Sequence, residues 1–236
     1  MMSARPNEES LVAAFLAARP KPIAGGRLLR EFTTLAGVPD VVCVEPAQKS
    51  VDLDAELAVA RGVTNGRANV LSCLSKSRAH ALSYVVSHTG LQANYVKRIL
   101  GELRQMGLVE VTGRGSVLLS REYHRPKVRF TAMEFKLSDW RRALAQAVRH
   151  RAFAQRTLVV MPFAAEDNLT AASSAFSRLG VGCAVFDMDS GRMKVLVRPA
   201  VRRRTSDRVF LDAVGRVESI DAKDGEAESS AGCGIS

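Results

Sequence analysis

The stretch GVPDVVCVEP, residues 37–46, sets a carboxylate against an apolar run. Val38, Val41, Val42 and Val44 read as a strand over 38–45, and Asp40 interrupts it. A charge beside a buried apolar segment is costly unless something pairs with it. Asp40 therefore either marks a turn or faces a site that wants negative charge. Which of the two holds decides the fold, because the partner has to come from elsewhere in the chain.

Composition narrows the field. The chain has 236 residues, 47% hydrophobic and 25% charged, enough for one large domain or two small ones with a real core. Its net charge of +10 favours a polyanionic partner, most often nucleic acid. Cys43, Cys73, Cys183 and Cys233 are scattered without a C-x-x-C pair, so neither a zinc site nor a disulfide framework is expected. No apolar run reaches the roughly 18 residues of a membrane span. The start, MMSARPNEES, is polar and acidic, unlike a signal peptide, and a cytoplasmic location is expected. The end, SIDAKDGEAESSAGCGIS, is acidic, small and free of aromatics, and is expected to be a disordered tail over 216–236.

The positive charge is concentrated. Residues 66–129 hold eleven Lys and Arg against Glu102, Glu110 and Glu122, a balance of +8 out of the total of +10. Within that region ANVLSCLSK carries a short apolar stripe at Val70, Leu71 and Leu74, and RAHALSYVVSHTG offers a second helix. LQANYVKRILGELRQMG places Val96, Ile99, Leu100 and Leu103 at i, i+3, i+4 and i+7. LVEVT, GRG and SVLLS then read as a short hairpin. This order resembles a winged helix-turn-helix domain, and the resemblance runs through the whole of SHTGLQANYVKRILGELRQMGLVEVTGRGSVLLS. With the apolar stripe inward, Asn94, Lys97, Arg98, Gly101 and Gln105 point outward. Asn, Lys, Arg and Gln read base edges and hold phosphates. Arg114, at the hairpin tip, would reach a phosphate or a minor groove. A solvated helix face also carries Lys and Gln, and some winged helices dock proteins instead.

A second strand answers the first. In VRFTAMEFKL, residues 128–137, alternation puts Glu134 and Lys136 on one face. Pro39-Asp40 on one strand and Glu134-Phe135-Lys136 on another resemble the PD-(D/E)xK nuclease superfamily. The continuation LSDWRRALAQAVRHRAFAQRTLVVMP is similar to the branch with a downstream Gln on the following helix, here Gln146. The resemblance covers about 8–60 and 122–200. It implies Asp40, Glu134 and the backbone carbonyl of Phe135 as ligands of Mg²⁺ or Mn²⁺, with Lys136 orienting the attacking water. Two carboxylates suit Mg²⁺, a hard cation that keeps several waters. The metal would neutralise the phosphate and acidify a bound water. Glu31 would add a third acid from the strand before Asp40. Glu8 and Glu9 sit in the first turn of EESLVAAFLAAR, where acids belong in any helix. Related nucleases often carry Gln-x-x-x-Tyr on the later helix; here the second position is His150. The alternative has Asp40 in a turn and Glu134 and Lys136 as an ordinary surface pair.

The expected fold is therefore α/β: a restriction-endonuclease-like mixed sheet flanked by helices, interrupted by an inserted winged-helix domain. Its parts are the nuclease-like core at 1–60 and 122–215, the insert at 61–121 and the tail at 216–236. The expected elements of the core are a helix over 8–18, strands over 27–34, 38–45, 127–137 and 156–162, and a helix over 139–154. A helix over 165–179 and two strands, GCAVFDMD and RMKVLVRP, follow. The resemblances imply a metal-dependent DNA endonuclease, and cutting both strands would favour a homodimer. The competing expectations are a DNA-binding transcriptional regulator with an inactive nuclease-like core, and a protein-docking module.

Overall fold

The structure is a computed structural model that describes residues 7–20, 23 and 25–217. The chain divides into two compact units, one formed by 1–47 with 128–206 and the other by 48–127 with 207–236.

The first unit is built on a six-stranded mixed sheet. Its strands are β1 (Arg27–Arg30), β2 (Val41–Pro46), β5 (Val128–Phe135), β6 (Arg156–Pro162), β7 (Gly182–Phe186) and β8 (Met193–Val197), adjacent in that order. The β1–β2, β2–β5 and β7–β8 pairs are antiparallel, whereas β5–β6 and β6–β7 are parallel. Parallel neighbours need a crossover. Helix α6 (Trp140–His150) supplies the first, and α7 (Glu166–Ala171) with α8 (Ser173–Leu179) supplies the second.

Both faces of the sheet are covered, so its central strands are apolar on both sides. Leu11, Val12 and Phe15 of α1 (Glu8–Ala18) share one core with Val41, Cys43, Met133, Phe135, Leu158, Val160 and Phe186. The Phe15 ring meets Phe135 and Phe186 edge-on at 4.9 and 5.4 Å between centroids. On the other face Ala143, Leu144 and Ala147 of α6 join Val159, Met161, Leu169, Phe176 and Val185. Alternate residues of β6 thus serve opposite cores, as the pleat requires.

The β2–β5 pair runs from Val41↔Met133 to Pro46↔Val128. Antiparallel neighbours are ordinarily joined by a tight hairpin. Residues 48–127 take the place of that hairpin, so the long excursion leaves the register of the two strands intact.

The second unit is helical with one hairpin. It contains α2 (Leu53–Ala58), α3 (Asn65–Ser72), α4 (Leu82–Thr89), α5 (Ala93–Gln105), the hairpin β3 (Val109–Val111) with β4 (Val117–Leu119), and a helical segment over 207–217. Helix α5 buries Val96, Ile99, Leu100 and Leu103 and packs on α3 and α4. His80, between α3 and α4, pairs with Val117 through reciprocal backbone bonds of 2.7 and 2.8 Å.

The borders differ from those expected. Residues 48–60, 122–127 and 207–217 belong with the helical unit, not with the sheet. Each is tied in by a buried acid. Glu56 accepts from the Lys127 amide at 2.6 Å and from His124 at 3.2 Å. Asp212, fully buried, accepts from the Asn65 amide at 2.7 Å and from Arg216 Nε at 2.7 Å. It caps α3, whose own N-cap residue Thr64 makes no side-chain cap. Gly215 allows this approach, because a Cβ there would lie 2.6 Å from the Val63 carbonyl oxygen. Of the tail expected over 216–236, Arg216 and Val217 are helical, and residues 218–236 lie outside the described residues.

Replacing Asp212 by Ala strands the Asn65 amide without its acceptor. The expected loss is about 1–3 kcal/mol of unfolding free energy. Urea denaturation checks it, and hydrogen exchange should show the loosening at the start of α3.

Candidate active site

Asp40 and Glu134 are the next positions along β2 and β5 beyond the Val41↔Met133 pair. Asp40 lies just before β2, not inside it, and Val38 is 49% exposed instead of contributing to the apolar run. The strand begins at Val41 because the turn from Thr34 to Gly37 is closed by its own bonds: each amide donates to the other carbonyl, and Thr34 Oγ1 donates to Gly37 O at 2.8 Å. The Asp40 side chain then turns back onto the sheet, where Oδ2 accepts from the Phe135 amide at 2.7 Å.

Residues 134–136 of the chain diverge. Glu134 is completely buried on the α6 side, and its Oε1 lies 2.5 Å from His150 Nε2. Lys136 donates to the Phe135 carbonyl at 3.0 Å and to Glu8 Oε2 of α1 at 2.7 Å. The alternation of the sequence put Glu134 and Lys136 on one face. It fails because β5 ends at Phe135, and past the strand end Lys136 follows the charge of Glu8. The Phe135 carbonyl, a metal ligand by resemblance, is thereby occupied by an ammonium group.

Glu31 departs from expectation as well. Strand β1 stops at Arg30, and Glu31 adopts a φ of 48° in the turn that follows. Its amide donates to the Asp40 carbonyl at 2.9 Å. Glu31 nonetheless lines the same open cleft as Asp40, about 240 Å³ in volume, together with Glu8, Glu9, Val12 and Arg30. Four carboxylates thus face one guanidinium, which Glu9 holds at 3.2 Å. Glu8 and Glu9, expected as no more than first-turn acids, belong to this cleft. Asn7 caps the helix that presents them, through a reciprocal bond pair with Ser10.

The electrostatics follow from this crowding. Burial pushes the Asp40 carboxyl above its ordinary value, and the charges of Glu134 and Glu8 add to the rise. The Phe135 amide and the Lys136 ammonium oppose it. Among the described residues, no group of three or more His, Cys, Asp or Glu side chains is arranged to hold a metal. The oxygen donors near the end of β5 are two carboxylates and a carbonyl. Glu134 Oε2 is buried without a hydrogen-bond partner.

Gln146 and His150 lie one turn apart on α6. Gln146 Oε1 and His150 Nδ1 are likewise buried without partners. His150 is the residue the sequence undervalued, since a lone histidine on a helix flank carries little signal. Its spacing from Gln146 was the available clue. Burial raises the Cys43 and Cys183 thiols to about 12 and about 11, which keeps both in the neutral thiol form near neutral pH.

In the helical unit Asn94, Lys97, Arg98, Gln105 and Arg114 are all exposed. The first four share the outer face of α5, opposite its buried stripe. Arg98 is partly restrained, stacked on the Tyr95 ring at 4.9 Å and 3.8 Å from Glu102. Glu102 is already held by Arg67 at 2.8 Å. No helix among the described residues is long and apolar enough to cross a membrane.

The sign of the Asp40 effect can be tested without metal. A carboxyl whose folded pKa is raised binds protons more tightly in the folded state, so stability falls as pH rises from the ordinary value of 3.8 through the folded value. Asp40→Asn keeps an oxygen for the Phe135 amide and removes the charge. In EDTA it should be more stable than the parent at neutral pH, with an advantage that shrinks as pH falls toward 3.8. Urea denaturation across that range measures it. Comparison of the chain with known families, with curated proteins and with solved structures gave no match.

Proposed function

We propose that the chain is a metal-dependent DNA endonuclease of the PD-(D/E)xK type, with a winged-helix unit inserted in its restriction-endonuclease-like core. The observation that carries this reading is the β2–β5 register, which sets Asp40 and Glu134 at neighbouring strand ends with Phe135 and Lys136 directly after. The donor set fits a hard divalent cation, Mg²⁺ or Mn²⁺, which commonly takes one or two carboxylates and keeps waters. Asp40, Glu134 through its free Oε2 and the Phe135 carbonyl would hold it. When bound, the ion supplies charge neutralisation at the phosphate and a water acidified toward neutral pH. Lys136, released from the Phe135 carbonyl, would orient that water and offset charge developing on the phosphate. Gln146, one turn before His150 on α6, has an Oε1 free to accept, and Glu31 and Glu8 add negative charge that draws cations to the cleft.

Recognition falls to the helical unit. The order α3, His80 bridge, α4, α5, β3–β4 hairpin supports a winged helix, with α5 as the reading helix and Arg114 on the wing. Asn94 and Gln105 suit base edges, and Lys97, Arg98 and Arg114 suit phosphates. A homodimer would supply the two sites that double-strand cleavage needs.

Two observations favour a second reading, a DNA-binding regulator with an inactive core. Glu134 is wholly buried against His150, and the Phe135 carbonyl is already satisfied by Lys136.

Cleavage of supercoiled plasmid decides between them. Nicking is expected with Mg²⁺ or Mn²⁺, none in EDTA, and a loss of about 100-fold or more in Lys136→Ala. Duplex binding without cleavage under either metal would establish the regulator. Separately, duplex affinity should fall with salt, and Lys97→Ala with Arg114→Ala should each lower the salt slope by about 1. An affinity indifferent to salt would rule out DNA binding by this face.

A further inference from the structure

The buried contact between Glu134 and His150 asks for an explanation of its own. Glu134 is fully buried and His150 is 3% exposed. Taken with Glu134 as an ionised carboxylate, which only accepts, the contact makes His150 Nε2 the donor. Glu134 Oε1 then accepts from His150, while Oε2 has no partner. Buried polar atoms in folded proteins are nearly always satisfied, and an exception needs a reason. The other two orphaned atoms at this end of α6, Gln146 Oε1 and His150 Nδ1, leave Oε2 without a donor from the protein.

The surroundings hold the imidazole in place. Its ring sits edge-on to Phe153, 6.2 Å between centroids. On another side is Gly37, with a φ of 112°, where an added Cβ would come to 3.6 Å from His150 Cε1. Gly37 belongs to the same turn that leads into Asp40. One imidazole therefore touches the glutamate of β5 and adjoins the turn that delivers the aspartate of β2.

We infer that His150 is a positioning residue for Glu134: its Nε2–H ties down Oε1 and so directs the second oxygen, Oε2, to a divalent cation shared with Asp40. This inference rests on the metal-dependent reading above. It makes the nitrogen an outer support and not a ligand, leaving an all-oxygen donor set. Supports of this kind fix ligand orientation, and their loss typically weakens metal affinity 10–100-fold.

The test is Mn²⁺ binding by the full chain without DNA, followed by the EPR signal of the free ion. Wild type should bind Mn²⁺, and Asp40→Asn should weaken that binding. His150→Gln keeps an N–H donor near the position of Nε2 and should bind within about threefold of wild type. His150→Met removes the donor and should bind 10–100-fold more weakly, with a melting temperature that shows it folded. Equal weakening in the Gln and Met variants would overturn the donor role, as would undiminished binding by the Met variant. Should His150→Met fail to fold, the wild type decides: pulsed EPR of its bound Mn²⁺ should show no directly coordinated nitrogen, and a coordinated nitrogen would make His150 a ligand and overturn the inference. Absence of Asp40-dependent Mn²⁺ binding in wild type would remove the metal site altogether. Binding in wild type that His150 does not influence would remove this inference alone.

Discussion

The hydrogen bond from the Phe135 amide to the Asp40 carboxylate ties β2 to β5 where their ladder ends. Beyond Val41↔Met133 the β2–β5 ladder stops, and the Phe135 amide has lost its backbone partner on that side. A side chain takes over as acceptor. The substitution brings a half-buried negative charge to a place an uncharged turn would otherwise fill, and the raised Asp40 carboxyl is the visible cost. In return the β1–β2 turn is locked to the end of β5. Glu134, Phe135 and Lys136 can then be presented in a fixed arrangement, because the strand that carries them cannot fray.

From that point the pleat distributes charge to two helices. Glu134 goes to α6 and meets His150; Lys136 goes to α1 and meets Glu8. Neither acid nor base is left to pair with its near neighbour in sequence. The arrangement keeps a carboxylate at zero exposure without a cationic Lys or Arg beside it, which is tolerable only because an N–H donor is in direct contact. It also leaves the ammonium against the Phe135 carbonyl and Glu8, one of the acids that line the cleft.

Periodicity in the sequence identified the elements with continuous apolar stripes well. Helix α1 and strand β6 have the expected limits, and α5 buries the four residues its spacing marks. Such stripes bury themselves whatever surrounds them. Strand ends were not legible in the same way. Val38 sits where a strand was expected, yet the Thr34–Gly37 turn satisfies its own backbone and withdraws it, while Glu31 keeps its amide bond to the Asp40 carbonyl but leaves the strand through a φ of 48°. Lys136 was misplaced for a related reason, since alternation has no meaning past the last paired residue. The unit borders at 47 and 206 were missed because they depend on Glu56 and Asp212, two buried acids whose partners lie 71 and 147 residues away. His150 drew little weight in the sequence because a histidine means little until the carboxylate beside it is known.

The distribution of charge gives these features a common logic. The chain is strongly basic as a whole, yet the cleft beside Asp40 is lined by four carboxylates and one arginine. Taken alone, such a cleft repels a polyanion. A protein that binds nucleic acid and keeps this cleft must draw its affinity from other surfaces and compensate the local repulsion. The basic residues concentrated in 66–129 meet the first need, on a unit whose insertion leaves the β2–β5 register undisturbed. On the proposed function, a divalent cation drawn in by the carboxylates would meet the second, since it would turn a repulsive cleft into one that accepts a phosphate. On the proposed function, the same cation explains why Glu134 Oε2 is buried with nothing in the protein to satisfy it. Acid cleft, basic insert and orphaned oxygen are then consequences of one requirement, that negative substrate and negative ligands share a positive centre.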